Sequence, residues 1–144
     1  MKKILLFSSF FLFFGCANAI SEEDLEHLNG YWEIEKVIFP DGSSKEYSVN
    51  TSIDYISVES KKGYRKKVHP KLNGTYFTSD DADLFVVLPH ENRFTIHYGS
   101  KENCTPMAQR SEELISLSEN RFSVRNEEGI TYQYKRFEPI DIKE

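Results

Sequence analysis

The chain has 144 residues, of which 39% are hydrophobic, 28% charged and 14% aromatic, and its formal net charge is −5. That length suits one domain and excludes a large α/β enzyme or a multispan membrane protein. The apolar content excludes a disordered chain, and the acidic balance disfavours nucleic acid, whose phosphates would repel it.

Met1-Lys2-Lys3 is a basic start, followed by the apolar run Ile4 to Phe14. Eleven residues are too few for a bilayer span of about 20, so residues 1–15 read as a secretory signal segment. Phe13-Phe14-Gly15-Cys16 resembles a bacterial lipobox. On that reading Cys16 carries the lipid, 16–24 is a tether, and the protein is held at the cell envelope by its acyl chains. The alternative is cleavage after Ala17-Asn18-Ala19, which releases a secreted or periplasmic protein. Loss of Lys2 and Lys3 leaves 16 of the 18 basic residues against 23 acids, moving the net charge to −7. Either cleavage leaves Cys104 without an intrachain partner, so no disulfide is expected. The short, Phe-rich leader ending in Gly-Cys resembles those of Bacteroidetes lipoproteins.

Ser21-Glu22-Glu23-Asp24 starts a short helix, with a capping serine and acids suited to a helix N-terminus. Asn29-Gly30 ends it. From there the chain alternates short aromatic or β-branched runs with turn residues. The runs are about 30–39, 53–59, 63–70, 74–79, 84–89, 93–98, 113–118, 121–126 and 130–137. Pro40-Asp41-Gly42, Asn73-Gly74 and Glu127-Glu128-Gly129 punctuate them. Alternation puts Phe94, Ile96 and Tyr98 on one face of their run, Phe122 and Val124 on one face of theirs, and Ile130, Tyr132, Tyr134 and Arg136 on one face of the last. Trp32 is in phase with Ile34 and Ile38. Glu91-Asn92-Arg93-Phe94 is echoed by Glu119-Asn120-Arg121-Phe122, as in a meander. The pattern predicts an all-β, antiparallel fold, either a sandwich or a barrel. The runs 63–70 and 74–79 form either one strand bent at Pro70 or an edge pair. The polar stretch 101–112 reads as a long loop.

Helix, then Gly30-Tyr31-Trp32, then strand resembles the G-x-W opening of lipocalins and other calycins. Arg136 matches the family's arginine on the last strand, and the resemblance lays it over Trp32 to close one end, with Gly30 part of the same motif. More closely, the chain resembles small lipocalin-like lipoproteins of Bacteroidetes, across Pro40-Asp41-Gly42, Ile53-Asp54-Tyr55, Gly63-Tyr64-Arg65, Leu72-Asn73-Gly74 and Tyr132-x-Tyr134. It lacks the family's Thr-Asp-Tyr motif and C-terminal helix. The resemblance implies an up-and-down barrel of about eight strands over residues 25–138, with a tail at 139–144. It also implies a small hydrophobic or amphipathic ligand in the barrel. The interior residues expected around that ligand are Tyr55, Phe94, Ile96, Tyr98, Phe122, Tyr132 and Tyr134. The alternative is an envelope interaction or assembly protein with a solid core.

Other residues point less far. Lys61, Lys62, Arg65, Lys66, Lys67 and Lys71, with His69, form a basic cluster that fits either an anionic partner or a solvated edge. Asp80, Asp81 and Asp83 lack the later ligands of a calcium loop. The histidines have no zinc spacing, and no nucleophile motif is present. A monomeric, non-enzymatic protein with neither cofactor nor metal is expected.

Overall fold

The computed structural model describes residues 19–99 and 110–139. The leader, Cys16, Cys104 and residues 140–144 lie outside them. The described chain forms a 3-10 helix, Glu23–Leu28, and ten strands. These are β1 (Gly30–Ile38), β2 (Ser44–Glu46), β3 (Ile53–Glu59), β4 (Lys62–Pro70), β5 (Tyr76–Thr78), β6 (Asp83–His90), β7 (Arg93–Gly99), β8 (Arg110–Leu117), β9 (Arg121–Asn126) and β10 (Thr131–Arg136).

Turn chemistry sets the meander. Three connections share one design: residues 39–43, 71–75 and 126–130. In each, the first N–H bonds the fifth carbonyl, and the fourth residue is a glycine at positive φ: Gly42 at 86°, Gly74 at 77° and Gly129 at 79°. This is the three-residue hairpin that needs a left-handed residue at its end. The β3–β4 turn instead holds Ser60 and Lys61 at φ 49° and 64°, a two-residue turn with both central residues left-handed.

Eight strands close into a ring in the order β1, β3, β4, β6, β7, β8, β9, β10, and β10 returns to β1; each pair is antiparallel. The barrel is therefore up-and-down and eight-stranded, as the resemblance to lipocalins implies. The two remaining strands are short: β2 lies on the end of β1 and β5 on the end of β4. Of the two readings of 63–79, the edge pair is the one formed. β5 covers Val68–Pro70, and β6 takes over the same edge at Arg65.

Two local departures have physical causes. In β1 the register slips between Ile34 and Lys36, a bulge that reverses the phase. Val37, rather than Ile38, is therefore the buried residue beyond Trp32. Strand β8 begins at Arg110, three residues before the expected run and inside the expected loop. Its first turns of alternation are polar because they face charged groups, as described below.

The lower interior is filled by Leu25 and Leu28 of the helix with Trp32, Ile56, Val58, Phe85, Val87, Phe94, Ile96, Leu114, Phe122 and Val124. Gly63 is required by this packing. A Cβ there would meet Phe85 Cζ at 2.7 Å and collide with the Ser57 carbonyl. Gly63→Ala is expected to destabilise the barrel by about 1–3 kcal/mol, the cost of overpacking; urea unfolding measures it.

Candidate functional site: a charged floor in the barrel mouth

The two ends of the barrel differ. At the end where the helix lies, Trp32 and Arg136 are direct cross-strand partners. The guanidinium lies 3.9 Å from the indole centroid. Its N–H groups donate to the carbonyls of His27, Asn29 and Glu119, tying the helix to the β8–β9 turn. Trp32 Nε1 donates to the Leu28 carbonyl at 2.8 Å. Gly30 explains itself here: φ is 121°, and a Cβ would stand 2.5 Å from Arg136 Nη1. These contacts seal the end.

An aromatic column rises from that seal. Phe122 meets Trp32 edge-on at 4.7 Å, and Tyr134 stacks on Phe122 at 4.6 Å. Arg65 then caps the column, 5.0 Å from the Tyr134 centroid.

Arg65 is only 8% exposed. It donates from Nη2 to Asp54 Oδ2 at 2.8 Å and to Tyr134 Oη at 2.7 Å. From Nη1 it donates to Tyr98 Oη at 3.1 Å and to Glu112 Oε2 at 3.4 Å. Tyr98 Oη in turn donates to Glu112 Oε2 at 3.0 Å. Lys67 reaches the other oxygen of Asp54 at 2.7 Å, so that oxygen is paired. Asp54, Glu112, Tyr98 and Tyr134 are all buried. With two cations and two carboxylates the cluster is neutral.

The titration of these groups follows from their surroundings. Burial pushes the Asp54 carboxyl up, but the charge and hydrogen bond of Arg65, then those of Lys67, outweigh it and hold it below the usual carboxylate range. Burial pushes the Tyr98 and Tyr134 hydroxyls up, against the opposing pull of Arg65. Arg65 itself is desolvated, yet its tyrosine and Asp54 partners keep it firmly charged.

Above this floor opens a cup of about 430 Å³. Lys67 of β4 stands on one side. Across the ring stand Glu127 and Glu128 of the β9–β10 turn, beside Tyr132. Arg110 stacks on the Tyr98 ring at 4.2 Å and pairs with Asp83 at 3.2 Å. Among the described residues, no three metal-capable side chains converge.

The residues expected around a ligand therefore divide. Phe94, Ile96 and Phe122 are packed into the filled core, Tyr98 and Tyr134 join the charged floor, and Tyr132 lines the cup. Tyr55 is corrected: it faces outward, 4.8 Å from Tyr31 and 6.0 Å from Tyr64. Its neighbours Asp54 and Ile56 point inward instead, so the β3 phase is one residue from that expected. The basic cluster also divides. Arg65 is interior, Lys61 pairs with Glu22, and Lys67 pairs with Asp54. Sequence reading missed Asp54, Arg65 and Glu112 as a set. The available signal was the alternation of Asp54 with Ile56 and Val58, which puts a carboxylate on the inner face.

No family model matches the chain, and no curated protein does. Among solved structures it is similar to a lipocalin-like protein from Bacteroides uniformis ATCC 8492, at 13% identity, over 77% of this chain and 99% of that one, with a TM-score of 0.46. It is likewise similar to an uncharacterized protein from Bacteroides eggerthii DSM 20697, at 12% identity, over 76% and 99%, with a TM-score of 0.46. The fold stands on this chain's own geometry: eight antiparallel strands in a closed ring, entered through a short helix and Gly30, with Trp32 under Arg136, make it a lipocalin-like β-barrel.

Proposed function

We propose that the protein is a binding module that takes a small zwitterionic molecule into the barrel mouth, held at the bacterial envelope by lipid on Cys16. The leader and its Gly15-Cys16 support the anchor. One observation carries the ligand reading: a buried arginine with two buried carboxylates and two tyrosines forms the floor of an open cup. Buried ion pairs give little net stability, so such a cluster is more readily accounted for by a ligand than by the fold. Lys67 of β4 and the acidic β9–β10 turn stand across the cup, matching a molecule with both charges. A hydrophobic ligand deep in the barrel has little support, because the apolar interior is occupied by side chains. That filled interior favours the second reading, an envelope assembly protein, if the cup takes nothing.

Turnover is not part of the proposal. The resolved shifts move Asp54 down and the tyrosines up, away from neutral pH where a general acid or base works best.

The test is thermal denaturation with amino acids and dipeptides, against neutral sugars and fatty acids. Zwitterions alone should raise the midpoint. Glu128→Lys, on an exposed turn, should leave stability within about 0.5 kcal/mol yet remove the zwitterion effect. Stabilisation by fatty acids alone would overturn the reading.

A further inference from the structure

The described residues expose four large hydrophobic side chains, and two of them share one groove. Leu72 at the tip of the β4–β5 turn is 86% exposed and Val49 in the β2–β3 connection 83%. Leu72 and Val49 line a shared external groove of about 350 Å³, together with Pro70, Tyr76, Phe137 and Pro139. This groove lies on the outer wall, away from the mouth cup and its charged floor.

The wall beside the groove has a particular chemistry. Tyr76 stacks on Tyr31 at 4.4 Å, and Tyr55 and Tyr64 continue the row. Tyr76 Oη is buried without a hydrogen-bond partner among the described residues. Lys71 lines the groove, and Lys66 lies along the Tyr64 ring on the same outer face. Glu33 at the groove is neutralised by Lys135 at 3.2 Å. Glu138 also lines it, and the two lysines outnumber that remaining acid.

We infer that this outer wall docks on an anionic lipid bilayer, with Leu72 and Val49 entering the headgroup–acyl boundary and Lys66 and Lys71 meeting the lipid phosphates. Aliphatic side chains on loop tips, amphipathic tyrosines behind them and flanking lysines are the chemistry of an interfacial contact. A protein partner is the poorer fit. It covers about 800 Å² of well-packed surface, whereas here two separate tips each project a single aliphatic side chain. The charge match also opposes the overall sign of the chain, which is acidic. The contact is independent of any ligand in the mouth.

The test places a reporter at the tip. Trp32 is the only native tryptophan and is fully buried, so it contributes a constant background. The full chain carrying Leu72→Trp is reconstituted with phosphatidylglycerol vesicles and with phosphatidylcholine vesicles. Whatever holds the N-terminus on the vesicle, the added indole reports only its own depth. On the anionic vesicles its emission should shift to the blue and lose most of its intensity to lipids brominated along the acyl chain. Lys66→Glu with Lys71→Glu should abolish both changes. Val49→Trp should behave in the same way. Emission that is unshifted and unquenched at both positions overturns the inference, as does quenching that ignores lipid charge. A concentration-dependent shift in lipid-free solution would assign the wall to a second copy of the chain and overturn it too.

Discussion

Arg65→Met should lower the free energy of unfolding by about 3–5 kcal/mol, because it leaves the Asp54 and Glu112 carboxylates buried without their shared cation. The loss should depend on pH. In the wild type Asp54 has a depressed pKa. Its stabilisation is therefore fully present above the unfolded value of about 3.9 and disappears as pH falls through the lower folded value. In the variant, burial pushes the carboxyl up with less to oppose it. The gap between the two proteins should be widest near neutral pH and close as both chains protonate below about pH 4. Urea titrations at a series of pH values measure this; a gap that is constant with pH would remove Asp54 from the account.

A companion variant separates stability from function. Changing Asp54 and Glu112 to Leu, Arg65 to Met, and Tyr98 and Tyr134 to Phe replaces the whole cluster with apolar groups. Such replacements are often neutral or stabilising by about 1–4 kcal/mol. The expected result is a barrel at least as stable as the wild type that no longer responds to zwitterions. If the apolar barrel instead fails to fold, the cluster is there to specify the structure and the binding argument loses its support.

Trp32→Ala is the other large effect. The indole is fully buried, and its removal should cost about 3–5 kcal/mol. The stacking of Arg136 on it should appear as a coupling of about 0.5–2 kcal/mol in a double-mutant cycle with Arg136→Ala. Arg136 also ties three carbonyls, so Arg136→Lys should recover little, since a point charge cannot make the same planar fork. A coupling near zero would mean that the two side chains close the end separately.

Where alternation of polar and apolar residues is driven by an apolar core, the sequence is readable. Phe94, Ile96 and Tyr98, or Phe122 and Val124, declare their inner face directly. The glycines at the fourth position of three hairpins are equally legible, because only that residue type sits comfortably there. The mouth resists such reading for a physical reason. Its inner face is polar, so Asp54, Arg65 and Glu112 look like surface residues until the register pairs Ile56 with Arg65 and Asp54 with Lys67. The same cause hid the first three residues of β8, and the pattern fixed on Tyr55 rather than Asp54. The bulge at Glu35 gives no signal in composition, since it depends on how β10 meets β1. Short β2 has three exposed residues and no hydrophobic pattern at all.

The seam between β1 and β10 joins residues 104 positions apart, Trp32 with Arg136. Most of the other pairings link strands that follow one another in the chain, and these can assemble early. Closure must wait until Arg136 has emerged from the ribosome. Until then β1 and the growing end of the sheet are open edges, the kind of template on which chains pair with each other. Such long-range closure is intrinsically slow. A nascent chain of this design therefore spends its most vulnerable interval just before β10 docks on β1, and loss of β10 would leave an open meander with two unpaired edges.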